Sequence, residues 1–449
     1  MQHYPPLRPI AFCLLLLSAA LNLNGQEAAV RVPLALETFD EVWGILNEGH
    51  FDTNFNGHNW LRVRDEYRPR VAAAKSSAAV RDVLQEMLDL LNVSHLAIVS
   101  SEEAEAMEAN GKEAASLEAA DESETGTLGM ELRFEGNNLV VTRVEPGLPA
   151  ANAGVKPGWI LKRIANTKTA DLKQKAPKKL DERRRNFLAW RSAAKKLSGS
   201  PGTTIALEFA DGRDRPVRLS LKRVTAQGEP IEFGALPVLY AHLDSAERLT
   251  PARRNVGVIR FNIWMLPTAL AFNKAIDEHR GKQGLIIDLR GNIGGMVGMI
   301  IGVAGHFTTE PLVLGTMVDR VNNLRLPANP RLVDSSGKRV QPYSGPVAIL
   351  VDEMTASASE VFTGGLQEHG RVRVFGRTTA GQALPAVYQE LKNGDYLYRP
   401  VSDFITPKGL RFEGRGVVPD ESIPLNRAAL LAGRDLPLER VLQWIDTAK

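Results

Sequence analysis

Cysteine, net charge and metal-binding motifs are all scarce in this 449-residue sequence. Its single cysteine, Cys13, cannot form a disulfide within the chain, and a net charge of +3 gives no electrostatic reason to expect nucleic-acid binding. The histidines are scattered and no H-E-x-x-H motif occurs, so the sequence indicates neither a metal site nor another cofactor. We therefore expect a globular protein whose chemistry is carried by side chains and backbone alone.

The sequence also lacks an apolar run of the length that spans a membrane. The run IAFCLLLLSAAL at residues 10–21 is shorter than the ~20 residues that a transmembrane helix needs; it follows Arg8 and precedes a polar stretch. This pattern is typical of a secretory signal peptide over residues 1–25, with an uncleaved anchor as the alternative. It predicts export to the periplasm or the extracellular space, with membrane contact only through this segment before cleavage.

Changes in composition along the chain predict four further regions. Apolar residues at helical spacing indicate an N-terminal helical region at residues 26–100, and a segment rich in Ala, Glu and Ser at 101–126 is interpreted as an acidic linker. Residues 127–225 contain short strands separated by turn formers, which predicts a β-rich domain. From residue 226 to 449 apolar strands alternate with helices, which predicts an α/β domain.

The segment GLIIDLRGNIGGMVG at residues 284–298 has the pattern of a buried strand that ends in clustered glycines. A tight turn would explain the glycines. A loop of accessible backbone N–H groups that binds an oxyanion would explain them equally, because glycine allows close approach. The spacing is not G-x-G-x-x-G, which argues against a dinucleotide-binding loop.

A second apolar strand, VAILVDE, leads into the turn TASASE and a helix with the sequence ASEVFTGGLQEHG. A serine in this turn lies at the positive end of the helix dipole, where Ser357 could act as a nucleophile and the N–H of Ala358 could face a developing negative charge. Ser357 and Ser359 could equally be simple helix caps. The turn lacks the G-x-S-x-G pattern, so an ordinary α/β-hydrolase is not expected.

Four segments occur in the order typical of tail-specific, or C-terminal-processing, serine proteases: DLRGNIGG, VDEMTASASE, HGRVRVFGRTTAG and TPKGLRFEGRGVVPD. The chain resembles this family and its relatives, the tricorn core protease and the interphotoreceptor retinoid-binding protein. Residues 127–225 resemble a PDZ domain. The resemblance implies an α/β fold with a crotonase/ClpP-like ββα core, an inserted PDZ-like domain and hydrolysis of peptide bonds.

The resemblance also implies roles for single residues. Ser357 corresponds to the nucleophile, and the oxyanion donors correspond to the N–H of Ala358 and that of Gly294 or Gly295. Bacterial and plastid members use a lysine base in a GKGSVQ segment, but the equivalent segment here, GQALPA, has Gln382 at that position. An amide does not accept a proton at neutral pH, so a Ser–Lys dyad is not expected.

The tricorn branch of the family suggests a different base. In that branch a histidine in a Ser-His pair before the PDZ domain is oriented by the serine and by a late glutamate. The matching residues here are Ser94 and His95 in LLNVSHLAIVS and Glu413 in RFEGRGVVPD. The resemblance therefore implies a Ser-His-Ser-Glu tetrad with His95 as general base and acid.

The PDZ resemblance implies a binding site for peptide termini. Backbone N–H groups at Leu128, Gly129 and Met130 would bind a terminal carboxylate, and the alternative is a PDZ domain that only supports the active site. The expected function is an exported serine endopeptidase that acts on proteins or peptides recruited through free C-termini. The other candidates are a catalytically inactive adaptor and a ligand-binding protein of the same fold.

Overall fold

The computed structural model describes residues 31–100, 125–176, 181–231 and 239–448. The predicted signal peptide with Cys13, and all but the last two residues of the predicted acidic linker, lie outside the described residues. Within the described ranges, no helix is both long and apolar enough to cross a membrane.

The described residues form helices and strands in the following order. The helices are α1 (Val32–Gly49), α2 (Trp60–Ala72), α3 (Ser77–Leu88), α4 (Pro149–Asn152), α5 (Thr169–Lys175), α6 (Glu182–Leu197), α7 (Leu266–His279), α8 (Val297–Ala304), α9 (Ala358–Glu368), α10 (Arg427–Leu431) and α11 (Leu436–Thr447). The strands are β1 (Ala97–Val99), β2 (Gly126–Thr127), β3 (Met130–Glu135), β4 (Asn138–Val144), β5 (Ile160–Ile164), β6 (Thr167–Lys168), β7 (Thr204–Ala210), β8 (Pro216–Lys222), β9 (Val224–Thr225), β10 (Glu229–Ile231), β11 (Leu239–Ala241), β12 (Leu243–Leu249), β13 (Asn255–Phe261), β14 (Gly284–Asp288), β15 (Leu312–Val318), β16 (Asn323–Ala328), β17 (Val347–Val351), β18 (Arg373–Gly376), β19 (Ala386–Glu390), β20 (Tyr396–Pro400), β21 (Asp403–Ile405) and β22 (Glu421–Ser422).

The N-terminal helices α1 to α3 pack through their apolar faces. α2 and α3 begin where the side chains of Asn59 and Ser76 each accept a backbone N–H from the first turn. The shared core includes Leu391 and Leu397 from the distant C-terminal part of the chain, and β1 pairs antiparallel with β20. Because of these contacts, the segment between α3 and β1 is held against the C-terminal region.

Residues 126–225 form a β-rich unit between the helical region and the α/β domain. Its sheet has the strand order β3-β4-β5-β7-β8, with β6 beside β5, so that β3 is an edge strand. α6 covers the sheet by burying Ala189 and Ala193 in the core of the unit. Phe187 of the same helix packs with Met354 and Ala356 of the α/β domain, so α6 lies between the two units.

Buried ion pairs attach β3 to the α/β domain. Arg133 Nε lies 2.6 Å from Asp352 Oδ2, and both side chains are almost fully buried. Asp352 Oδ1 accepts the backbone N–H of Gly291 at 3.0 Å, and Glu131 pairs with Arg260 at 2.7 Å. A buried charge is costly unless it is paired, so these contacts favour one position of the β-rich unit against the loop at Gly291.

The α/β class expected for the C-terminal region is observed as a six-stranded sheet covered on both faces. Its strand order is β12-β13-β14-β17-β18-β22. The last five of these strands run parallel to one another, and β12 is antiparallel to β13. Residues of α7, α8 and α9 pack on one face, and α11 packs on the other. Neighbouring parallel strands end at the same edge of a sheet, so the loops that follow β14 and β17 lie side by side.

Candidate active site

Ser357 lies between β17 and α9, at the carboxyl edge of the α/β sheet. Its backbone N–H donates to Gln382 O at 2.9 Å and to Glu360 Oε2 at 3.1 Å. Its side chain is half-buried and forms a capping box with Glu360. α9 begins at Ala358, so Ser357 is its N-terminal cap residue and lies at the positive end of the helix dipole.

Ser359, the second serine of the turn, has a different environment. It is completely buried, donates to Asn292 Oδ1 at 2.9 Å and accepts the indole N–H of Trp264 at 2.8 Å. A hydroxyl held on both sides in this way is a structural group. Of the two serines in the turn, Ser357 is the one that is not fully buried.

Gly294 and Gly295 form the loop after β14, and Gly294 lies against the turn at Ser357. Their φ angles are 103° and 138°, which side chains disfavour, and a Cβ on Gly294 would come within 2.6 Å of Ser357 Cβ. The N–H of Gly294 already donates to Asn292 Oδ1 at 3.0 Å. Within the described residues, the N–H groups of Gly295 and Ala358 have no recorded acceptor, which leaves these two available to an oxyanion.

Asn292 connects the glycine loop to the turn at Ser357, although sequence analysis assigned it no individual role. It is fully buried, and its Oδ1 accepts both the Gly294 N–H and the Ser359 hydroxyl. Its backbone carbonyl accepts the N–H of Ala356 at 3.0 Å. The only sequence signal for Asn292 is its position inside the segment DLRGNIGG.

Replacing Asn292 with alanine is expected to lower kcat about tenfold to a hundredfold with little change in KM. Two buried donors, the Gly294 N–H and the Ser359 hydroxyl, would lose their acceptor. The loop would then no longer hold the Gly295 N–H in a fixed position. Steady-state kinetics on a peptide substrate measures this change. Asn323→Ala, at an exposed asparagine of β16, is the matched control, and an unchanged kcat in Asn292→Ala would contradict the assignment.

Ser94, His95 and Glu413 are joined by hydrogen bonds across a large separation in sequence. Glu413 Oε1 accepts the backbone N–H of Ser94 at 2.7 Å, and Glu413 Oε2 accepts the Ser94 hydroxyl at 2.9 Å. Ser94 Oγ lies 2.6 Å from His95 Nδ1. The hydroxyl has one proton and donates it to an ionised Glu413, so the short contact requires the imidazole proton on Nδ1. Nε2 then carries the free lone pair that a general base needs.

Burial shifts the pKa values of both His95 and Glu413. Burial, together with the positive charge of Arg191, lowers the pKa of His95 to about 4. Burial raises the pKa of Glu413, whereas the hydrogen bonds from Ser94 and the positive charge of Arg184 lower it. His95 is therefore neutral near pH 7, which is the form that accepts a proton.

Both Ser357 and His95 have backbone conformations that non-glycine residues rarely adopt. Their φ angles are 55° and 58°, and such strain persists only where the surroundings hold it. At Ser357 the bonds to Glu360 and to Gln382 O hold the backbone. At His95 the short contact to Ser94 and the packing of the ring 5.5 Å from that of Tyr398 do so.

Gln382 lies between the two halves of the site and contributes its backbone. Its carbonyl accepts the Ser357 N–H at 2.9 Å, and its N–H donates to Glu360 Oε2 at 2.9 Å. The preceding residue, Gly381, accepts the N–H of Gly414, next to Glu413, at 2.9 Å. The structure thus brings both halves to one segment, and no hydrogen bond joins Ser357 to His95 directly. Lys392 and Lys408, the two lysines that follow the GQALPA segment, have exposed side chains.

Leu128, Gly129 and Met130 lie at one end of a groove between β3 and α6. The groove has a volume of about 400 Å³, and its lining includes Met130, Leu132, Trp190, Ala193 and Leu197. The Gly129 N–H donates to Thr127 Oγ1 at 3.1 Å. The Gly129 carbonyl accepts from Glu145 at the start of the β3–β4 ladder, so the next N–H, that of Met130, faces the open edge of the sheet.

Two family models match this chain. Residues 255–423 match the model of peptidase family S41, and residues 35–89 match that of the tricorn protease C1 domain. The first match contains the glycine loop, the turn at Ser357 and Glu413. The second covers the helices that precede Ser94 and His95.

Curated proteins with similar sequences are carboxyl-terminal-processing proteases. A carboxyl-terminal-processing protease from Synechocystis sp. is 24% identical over 414 residues, which cover 91% of this chain and 86% of that protein. The chloroplastic carboxyl-terminal-processing peptidase 2 of Arabidopsis thaliana is 25% identical over 395 residues, which cover 86% of this chain and 68% of that protein. These similarities extend through the β-rich unit as well as the α/β domain.

Solved structures share the fold over most of their length. The photosystem II D1 C-terminal processing protease superposes with a TM-score of 0.60 at 21% identity, covering 91% of this chain and 97% of the other. Mature CPAF superposes with a TM-score of 0.64 at 14% identity, covering 93% and 97%. At these identities the likeness concerns the fold alone.

Proposed function

We propose that this serine-type peptidase is an exported endopeptidase of the C-terminal-processing type, a proposal supported by the match of residues 255–423 to the model of peptidase family S41. The proposed tetrad consists of Ser357, His95, Ser94 and Glu413. The observation that carries this proposal is the hydrogen-bonded series from Glu413 through Ser94 to His95, which leaves Nε2 as an available acceptor. A non-catalytic adaptor would have no need for this arrangement of a buried carboxylate, a hydroxyl and an imidazole.

The proposed mechanism follows from these positions. Nε2 of His95 accepts the Ser357 hydroxyl proton as Oγ attacks the substrate carbonyl, and the imidazolium then gives that proton to the leaving amine. Ser94 transmits the negative charge of Glu413 to the imidazolium. The N–H groups of Ala358 and Gly295 stabilise the oxyanion, with the dipole of α9 adding to the first of them. Water then hydrolyses the acyl-enzyme by the same proton path.

Substrate recruitment is assigned to the inserted β-rich unit, taken as PDZ-like and attached to a crotonase/ClpP-like core. β3 is an edge strand, so a peptide could add to it as a further strand. Its terminal carboxylate would lie at Leu128 and Met130, because the Gly129 N–H is already bound to Thr127. The apolar wall formed by Leu132, Trp190 and Leu197 would contact the last side chains.

A fluorophosphonate probe is expected to label Ser357, with the adduct located by mass spectrometry. Labelling should disappear in His95→Ala, because no base then activates the hydroxyl, and should persist in the control Lys392→Ala, at an exposed lysine. An unlabelled wild-type protein that still binds C-terminal peptides would favour the adaptor. A protein that binds small apolar ligands equally well after Ser357→Ala, with no turnover, would favour the ligand-binding alternative.

A further inference from the structure

The basic helix α6 of the inserted unit contacts the carboxylate of the proposed tetrad. Its sequence suggests a surface helix whose lysines and arginines extend into solvent. In the structure Arg184 Nη2 lies 3.4 Å from Glu413 Oε1, with 16% and 13% of the two side chains exposed. Arg184 Nη1 also donates to Asn92 Oδ1 at 3.1 Å, two residues before Ser94. We propose that Arg184 is a positioning residue for the tetrad, supplied to Glu413 by the inserted unit; this inference rests on the proposed function.

The local structure of α6 aims Arg184 at this junction. Asp181 caps the helix by accepting the backbone N–H of Arg184 at 2.9 Å, so the residue lies in the first turn, where its side chain extends beyond the end of the helix. One guanidinium therefore connects three segments that are distant in sequence: the helix itself, the segment of Ser94 and the segment of Glu413. A solvated surface arginine would lack these three fixed partners.

Arg183 contacts the backbone next to Glu413. Its Nη1 donates to Arg415 O at 2.5 Å, and its Nη2 donates to Gly414 O. Further along the helix, Phe187 packs with Met354 and Ala356, just before Ser357. α6 therefore holds both halves of the active site, and Arg184 is the member that touches the carboxylate itself.

Arg184 places a positive charge beside Glu413, and this charge lowers the pKa of the Glu413 carboxyl. The Glu413 carboxylate accepts hydrogen bonds from the Ser94 N–H, the Ser94 hydroxyl and the Ala383 N–H, and it faces the Arg184 guanidinium. His95 contacts this group through the Ser94 hydroxyl. Burial raises the pKa of Glu413 and Arg184 opposes this. Once protonated, Glu413 no longer stabilises the imidazolium, so loss of Arg184 should affect activity most strongly at low pH.

The test measures kcat/KM on a peptide substrate from acid to alkaline pH for the full-length protein. In Arg184→Gln the acid limb of the profile, which reports the coupled ionisation of His95 and Glu413, should move to higher pH by about one unit. Arg184→Lys keeps the positive charge and should return the acid limb most of the way to its wild-type position. KM should change little. Arg218→Gln, at an exposed pair with Glu208 in the same unit, is the control and should leave the profile unchanged.

Three outcomes decide the inference. A uniform loss at every pH in Arg184→Gln, or no rescue by lysine, would overturn the positioning role. In a Glu413→Gln background, Arg184→Gln should produce no further shift, because its target is gone. If Glu413→Gln alone leaves activity and profile intact, the tetrad itself fails, and this result is distinguishable from failure of the Arg184 inference.

Discussion

Replacing His95 with alanine is expected to reduce kcat on a peptide substrate by about 10⁴-fold. The half-buried side chain of Ser357 lies at the start of α9, and the imidazole, neutral near pH 7, has its unprotonated Nε2 available. Without that acceptor, proton removal from Oγ must be left to water. Steady-state kinetics, supported by a thermal melt to verify folding, measures the loss.

Two further variants make this prediction specific. Ser357→Ala should cost about as much as His95→Ala, and the double variant should be no worse than either, because residues that act as one catalytic unit are not additive. Gln382→Ala should keep kcat within about threefold of wild type, since the hydrogen bonds that Gln382 makes to other described residues use its backbone atoms. Residual activity in His95→Ala comparable to wild type would exclude His95 as the base, and a severe loss in Gln382→Ala would show that the Gln382 side chain takes part in the site.

The strands that position the site could be predicted from local sequence. β14 and β17 are continuous apolar runs because helices cover both faces of their sheet, and the glycine and serine turns follow them directly. The helix after the second turn begins at Ala358, the first residue of the segment ASEVFTGGLQEHG that the sequence predicts to be helical. This start makes Ser357 the cap residue and leaves the adjacent N–H outside the helical hydrogen bonds.

The contacts between distant segments could not be predicted from local patterns. The pairing of β1 with β20 joins residues near 98 and 397, and no periodicity reports such a register. The bond between Ser94 and Glu413 could be expected only from resemblance to the tricorn branch. The basic segment of α6 suggested solvated side chains, because sequence does not reveal that Arg184 faces a buried carboxylate.

Replacing Glu360 with glutamine is expected to lower the free energy of unfolding by about 3 kcal/mol and to abolish most activity. The fully buried carboxylate accepts from the N–H groups of Ser357 and Gln382 on one oxygen, and from Gly381 and Thr379 on the other. An amide in either orientation turns its NH₂ toward two of these donors. Urea unfolding and fluorophosphonate labelling measure both effects, and Glu390→Gln, at an exposed glutamate, is the control.

The pH dependence of stability also tests Glu360. Its pKa is raised on folding, whereas that of a paired carboxylate is usually lowered, so its contribution to stability changes with pH in the opposite direction. Burial raises the pKa of Glu360 to about 7, from 4.5, even though Thr379 and three backbone N–H groups lower it. Between these values the native state binds a proton that the unfolded chain does not. This contribution is fully present below about pH 4.5 and is lost as the pH rises through about 7. Wild-type stability should therefore fall between pH 5 and pH 8 relative to Glu360→Gln, and a constant difference would show that the proton is not taken up there. The ionised carboxylate of Glu360 accepts hydrogen bonds from all four donors. The turn at Ser357 is therefore best ordered above about pH 7, where the bound proton no longer contributes to stability.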